Sequence, residues 1–156
     1  MYIVAERLVK LGITLPQPAS ALATYAPYVV AGNLVFISGQ LPMENKRVAI
    51  KGRVGSEVSV ADGQKAARLC ALNILAHLHA ACGGDLDRVA ACVKLGAFVA
   101  SAQDFYEQPK IVNGASELIE QVFGDIGKHA RSSVGVSNLP LNAAVEIDAI
   151  FSLVSV

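Results

Sequence analysis

Two stretches of this chain repeat apolar residues at helical spacing, and a strand-like run separates them. The first covers residues 66–82, follows the cap pattern of Ser59 and Asp62, and ends at Gly83 and Gly84. Residues 88–100 carry Val and Ala on both faces, which is typical of a mid-sheet strand covered on two sides. The second helical stretch begins near Pro109, and its stripe consists of Ile111, Val112, Ala115, Leu118, Ile119 and Val122.

Short β-rich runs flank these helices. Residues 28–31 and 34–38, separated by Gly32 and Asn33, predict a hairpin, and residues 131–136 and 143–154 predict two final strands. The last run alternates apolar and mixed positions, so one face is apolar. Residues 39–56 predict a long loop with a short strand near 48–50, and residues 3–11 a short helix closed by Gly12. The order predicts an α+β fold, a single sheet with two long helices on one face.

Composition narrows the class of protein. The 156 residues fit one domain, and 53% are hydrophobic while only 17% are charged, so we expect a partner surface to cover part of the apolar exterior. Thirteen basic residues balance 13 acidic ones, which argues against nucleic acid as a partner. The most apolar stretch, residues 69–81, is too short and too interrupted to span a membrane, and the N-terminus lacks a secretory pattern, so we expect a cytoplasmic protein.

Cysteine and histidine give no metal or redox pattern. Cys70, Cys82 and Cys92 lack Cys-x-x-Cys spacing and lie in apolar contexts, which predicts buried free thiols. His77 and His79 point in different directions on a helix, and His129 stands alone, so we expect no metal site and ordinary packed or surface histidines.

Arg131 opens a strand of small residues and shares a face with Ser133 and Gly135. If this strand pairs antiparallel with the last one, Glu146 falls opposite residues 133–135, and Arg131, Ser133 and Glu146 share one site. A guanidinium matches a carboxylate and Glu146 can order a water, so the trio suits a small carboxylic acid with an electrophilic carbon. The alternative is a surface ion pair between Arg131 and Glu146.

Three segments resemble the RidA/YjgF family of reactive-intermediate deaminases. They are APYVVAGNLVFISGQLP at 26–42, the Ala-rich helix with its following Val-rich strand, and ARSSVGVSNLPLNAAVEIDAIFSL at 130–153. The resemblance covers about residues 26–154. It divides the chain into an N-terminal extension, residues 1–25, and a family domain, residues 26–156.

The resemblance implies a chorismate-mutase-like fold with a single mixed sheet, assembled as a homotrimer with a ligand cleft at each subunit interface. Interfaces are expected at the mixed sheet face near Ile150 and at the loop around Leu139 and Leu141. Family members hydrolyse enamines and imines such as 2-aminoacrylate to a 2-keto acid and ammonia, without a cofactor. The implied ligand is a small carboxylate.

The same resemblance assigns roles to residues. Arg131 matches the arginine that grips the substrate carboxylate, and Glu146 matches the glutamate near the attacking water. The remaining positions match residues that line the cleft: Tyr28, Ser38, Gly39 and Asn113. Ser133 replaces a cysteine often found two residues after the arginine, and its backbone groups still reach a ligand.

Two other functions stay open at this point. One is a non-catalytic trimer that binds small carboxylates or a protein partner. The other is ribonuclease activity, which is attached to some family members by name. We rank it last because the neutral charge, the absence of Trp and the 6% aromatic content offer little to RNA.

Overall fold

A five-stranded sheet with two long helices on one face forms the body of the chain. The structure, a computed structural model, describes residues 3–18, 20 and 24–155. The helices are α1 (Ile3–Lys10), α2 (Val60–Ala81) and α3 (Gln108–Phe123). The strands are β1 (Tyr28–Ala31), β2 (Leu34–Gln40), β3 (Met43–Glu44), β4 (Arg47–Val48), β5 (Val89–Ala100), β6 (Ala130–Val136) and β7 (Val145–Leu153).

The main sheet is mixed, in the order β1-β2-β7-β5-β6. Only the β5–β6 pair is parallel, and β3 and β4 form a separate small hairpin. The predicted α+β class, with both long helices on one face, is therefore confirmed. The alternation of β7 is confirmed too, because its helix-side residues are buried: Val145, Ile147, Ala149, Phe151 and Leu153.

Both long helices follow their predicted stripes. The Ser59 hydroxyl caps α2 by accepting from the Asp62 N–H at 3.1 Å, as the cap pattern predicts. Every predicted stripe residue of α3, from Ile111 to Val122, is fully buried. On α2, the buried Asn73 donates to the Met43 and Leu69 carbonyls, which fastens the β3 hairpin to the helix.

The predicted pairing of the last two strands is wrong. β6 pairs parallel with β5, and β7 pairs with the opposite edge of β5, so β5 separates them. The reason is the connection through α3: a strand that follows a crossover helix returns parallel to the strand before it. The loop after β6, which contains the 3₁₀ turn Pro140–Asn142, then carries the chain past β5.

The prediction that both faces of β5 are covered is also wrong within one chain. β5 is an interior strand, but both long helices lie on the same face of the sheet, and Val93 and Lys94 are exposed on the strand. The short strand expected near 48–50 is β4, which ends at Val48 and pairs with β3.

The N-terminal helix is anchored to the main body. Val4 and Leu8 are buried, and the Asp87 carboxylate accepts from the Ile3 and Val4 N–H groups at 2.8 and 2.9 Å, which caps α1. Arg7 Nη1 donates to the Val122 carbonyl at the end of α3. The division at residue 26 stays a prediction, although α1 packs as part of the same body.

The three cysteines are buried and free, as predicted. Burial raises the pKa of the Cys92 thiol to about 12, so this thiol stays protonated at neutral pH. Across the described part of the chain, no helix combines the length and apolar character that crossing a membrane demands.

Gly114 allows α3 to pack closely against α2. A Cβ at this position would overlap the backbone carbonyl group of Gln64 in α2. The side-chain amide of Gln64 also donates to the Lys110 carbonyl of α3 at 3.0 Å. We expect Gly114→Ala to lower the free energy of unfolding by about 1–2 kcal/mol, because overpacking outweighs the gain in helix propensity. Urea unfolding measures this.

Glu117→Ala is the matched control on the exposed side of the same helix, and it should change stability by no more than about 0.5 kcal/mol. A Gly114→Ala variant as stable as the parent would contradict the close helix contact.

Candidate active site

Arg131 lies across the first half of α3. Its register with the buried Leu95 places it on the helix-covered face of the sheet. Nη1 donates to Asn113 Oδ1 at 2.9 Å and to Ser116 Oγ at 3.1 Å, and Nη2 donates to the Pro109 carbonyl at 3.3 Å. These three acceptors follow the i, i+4, i+7 spacing of one helical face. The helix therefore holds the guanidinium through neutral oxygens.

The charge of Arg131 has no acidic partner among the described residues. The ion pairs of the described chain join lysines to acidic residues three positions away, all exposed at the surface. The alternative that Arg131 and Glu146 form a surface ion pair is therefore wrong. Partial burial lowers the pKa of the Arg131 guanidinium, but an arginine stays cationic at neutral pH. A half-buried cation on neutral acceptors favours an anionic ligand.

Ser133 continues the same face of β6, in register with the buried Ala97. Two residues along a strand correspond to about 6.6 Å, so it lies one step from Arg131. Its hydroxyl oxygen is buried and has no hydrogen-bond partner among the described residues. Since buried polar groups are normally paired, this hydroxyl is available to a hydrogen-bonding ligand in this region.

Glu146 lies on the opposite, open face of the sheet, in register with Phe98. Its carboxylate rests on Gly39, where a Cβ would overlap it. Gly39 belongs to an irregularity of β2 between Ile37 and Gln40. The neighbouring Ser38 hydroxyl donates to the Ala26 carbonyl at 2.7 Å and fixes the end of β2. Glycine at position 39 is thus what makes room for the carboxylate.

Asp148 lies two residues from Glu146 on the same open face and affects its protonation. Burial raises the pKa of Glu146, and the nearby negative charge of Asp148 raises it further. Burial likewise raises the pKa of Asp148, opposed in part by the Gly96 N–H and by Lys94. A carboxylate of raised pKa is a stronger base than an ordinary glutamate.

The predicted site residues fall into two groups. Arg131, Asn113 and Ser133 lie together on the helix-covered face, while Glu146, Gly39 and Ser38 lie together at β7 and the end of β2. Two strand spacings, about 10 Å, separate β6 from β7. The shared Arg131, Ser133 and Glu146 site expected within one chain is therefore wrong, since the expected strand pairing does not occur.

Tyr28 belongs to neither group. It lies on β1, at the sheet edge opposite β6, and packs against the core from the helix-covered face. Its predicted role at the cleft stays a prediction.

Three polar residues near these groups were missed from the sequence: Ser116, His129 and Asp148. Ser116 had a usable signal, because it lies one helical turn beyond Asn113 on the same face. The sequence gives no such signal for His129, because its contact with Ser116 depends on how the chain returns from α3 to β6.

A cleft of about 780 Å³ opens beside the ends of β5 and β6, lined in part by Arg53, Ser101, Tyr106, Gln108 and Gly135. None of the predicted site residues lines it. The hydrogen bonds of Arg131 and the setting of Glu146, and not cleft volume, therefore define the candidate site.

Comparison with known proteins gives a consistent family. The family model described as "YjgF/chorismate_mutase-like, putative endoribonuclease" matches residues 5–152 of this chain. The chain is 47% identical to Protein TCP17 of Trypanosoma cruzi over 96% of this chain and 94% of that protein. It is 32% identical to a 2-iminobutanoate/2-iminopropanoate deaminase of Dermatophagoides farinae, over 86% of this chain and 88% of that protein.

A solved structure has the same fold. The protein Atu1372 of Agrobacterium tumefaciens, described as having unknown function, superposes with a TM-score of 0.91 at 49% identity, over 97% of this chain and 93% of that one. The family match begins at residue 5, so it includes most of α1.

The Asp148 carboxylate gives a direct test of the electrostatics on the open face. We expect Asp148→Asn to lower the pKa of Glu146, because the like charge is removed, while burial keeps that pKa above the ordinary glutamate value. Carboxyl ¹³C NMR titration measures it. Asp104→Asn, at an exposed position, should leave the Glu146 titration unchanged. An unchanged or raised pKa in Asp148→Asn would contradict the assignment.

Proposed function

Because this chain belongs to the YjgF/RidA family, we propose that it hydrolyses reactive enamines and imines of the 2-aminoacrylate type to 2-keto acids and ammonia. The observation that carries the proposal is the Arg131 guanidinium, whose acceptors among the described residues are all neutral, beside a Ser133 hydroxyl that has no partner among them. This arrangement suits a small ligand with one carboxylate. The name of the deaminase relative supports the same substrate class.

The chemistry requires one water and a base. The enamine first tautomerises to a 2-imino acid, whose C=N carbon is electrophilic. Arg131 holds the carboxylate, with Asn113 fixing the guanidinium, and Glu146 takes a proton as the water oxygen bonds to the imine carbon. The C=N electron pair moves to nitrogen, which takes this proton from Glu146 to give a carbinolamine. Glu146 then takes the hydroxyl proton and passes it to nitrogen as the C=O bond forms and the C–N bond breaks, so ammonia leaves with a 2-keto acid. Glu146 is a carboxylate again at the end of each step, so the reaction consumes one water and no cofactor.

The two groups of residues meet if the protein assembles, and we propose a homotrimer with one site at each interface. In one chain Arg131 and Glu146 lie on opposite faces of the sheet, so a site that uses both takes them from different copies. The open face supports such an interface, since Phe36 is 41% exposed and Val134 46% exposed. Leu141, in the loop after β6, is a further exposed apolar side chain, at 57% exposure.

A carboxylate-binding trimer without turnover is the second candidate. It is favoured by one observation: the Arg131, Asn113 and Ser133 group is complete for binding without Glu146. Ribonuclease activity, named in the family description, ranks last because the chain has no net charge and no Trp. The cytoplasmic location stays a prediction.

Removal of the carboxylate anchor tests the proposed reaction. When 2-aminoacrylate is generated in situ by an eliminating enzyme, we expect the protein to accelerate keto-acid release. We expect Arg131→Ala to reduce kcat/KM by about 100-fold, because a charge-assisted pair is lost. Coupled measurement of keto acid and ammonia follows the reaction. Arg47→Ala, which removes an exposed arginine of β4, is the control and should keep full activity.

Equal keto-acid release by parent, Arg131→Ala and a protein-free sample would contradict the deaminase proposal. Calorimetric binding of 2-oxobutanoate that requires Arg131, without any turnover, would instead establish the carboxylate-binding candidate. RNA cleavage that survives purification and is lost in Arg131→Ala would establish the third.

A further inference from the structure

A chain of hydrogen-bonded groups lies behind Arg131. Arg131 Nη1 lies 3.1 Å from Ser116 Oγ, and Ser116 Oγ lies 2.8 Å from His129 Nε2. His129 Nδ1 lies 2.6 Å from the Gly127 carbonyl oxygen. The chain thus runs from the guanidinium to the backbone of the 3₁₀ turn Gly124–Gly127, across the join between α3 and β6.

The chemistry of the end groups constrains the protons in this chain. A carbonyl only accepts, so His129 Nδ1 carries a hydrogen and donates it to Gly127. A guanidinium only donates, so Ser116 Oγ accepts from Arg131 and keeps its single hydroxyl proton for another acceptor. When the ring is neutral with its hydrogen on Nδ1, Nε2 is an acceptor and can receive that hydroxyl proton. No donor in the chain faces another donor.

We propose that Ser116 and His129 are positioning residues for Arg131, a role that rests on the proposed function of Arg131 as the carboxylate anchor. Both Nη1 protons are taken by α3, through Asn113 and Ser116, and one Nη2 proton by Pro109. Two donors then have no acceptor among the described residues, one on Nε and one on Nη2. These two donors are what a carboxylate needs for a two-point contact.

Ser116 and His129 contribute differently to this arrangement. The Ser116 oxygen supplies one of the two Nη1 acceptors, so its loss releases the guanidinium toward other rotamers. The His129 ring acts through Ser116 and holds the hydroxyl proton away from Arg131, so that a lone pair faces the guanidinium. We therefore expect a larger effect from removing Ser116 than from removing His129, and neither group touches the substrate.

The test separates positioning from general structural support. We expect Ser116→Ala to raise KM for the imino acid about tenfold, and His129→Phe about threefold, with kcat within about twofold of the parent. Ser116→Thr keeps the hydroxyl and should restore KM to within about twofold. In an Arg131→Ala background, Ser116→Ala should add no further loss, since its effect passes through the arginine. Thermal unfolding confirms that each variant is folded.

A second readout is independent of activity. Long-range ¹H–¹⁵N correlation spectra of the parent should show the Nδ1–H tautomer of His129. If the parent turns over no imine but binds 2-oxobutanoate through Arg131, and Ser116→Ala weakens that binding about tenfold, the proposed reaction fails and the positioning role stands. An Nε2–H tautomer overturns the inference. A Ser116→Ala variant that leaves both KM and carboxylate binding unchanged also overturns it. The same holds if the loss of activity caused by Ser116→Ala adds fully to the loss caused by Arg131→Ala.

Discussion

The parallel pairing of β6 with β5 is the constraint on which the rest of the structure depends. The crossover through α3 makes β6 an edge strand, and its helix-side row, from Arg131 to Gly135, lies under the first half of α3. That position lets the polar face of α3 bind the guanidinium while its apolar face packs on the core. It also leaves the other edge of β5 to β7, which fixes Glu146 in register with Phe98 on the open face.

Glycines and carboxylates determine the chemistry of the open face of the sheet. Gly39 and Gly96 each lie beneath a carboxylate, of Glu146 and Asp148 respectively, that a Cβ would displace. Burial raises the pKa of both carboxylates there, and the negative charge of Asp148 raises the pKa of Glu146 further. Surrounding apolar side chains such as Phe36 and Val134 stay exposed in a single chain. The same surface therefore combines a base of raised pKa with the apolar area that an interface would bury.

Much of this fold follows from local pattern. The α3 stripe, the Ser59 cap and the β7 alternation depend on spacing within one element, and the sequence predicts them correctly. The order of strands does not follow from spacing, because a short loop after β6 is compatible with a hairpin, while the actual neighbour of β7 is β5. That one error misplaces Glu146 relative to Arg131.

The candidate site shows the same division. Arg131 and Ser133 share a face because strand period is local, and Asn113 joins them as the family resemblance implies. His129 meets Ser116 only because the return from α3 to β6 brings positions 13 residues apart into contact. No periodicity in the sequence encodes such a contact. The separation of Arg131 from Glu146 is likewise a property of topology, and it is what makes assembly part of the proposed mechanism.

Mixing two inactive variants tests this account most directly. Arg131→Ala and Glu146→Gln chains, each inactive alone, are co-expressed with different tags and purified as mixed assemblies with the mass of three 16.3 kDa chains. If each site takes Arg131 from one copy and Glu146 from its neighbour, every mixed trimer keeps one of its three sites intact, so we expect about one third of the parental deaminase activity. Mixed assemblies with no more activity than either variant alone would contradict a site built between copies.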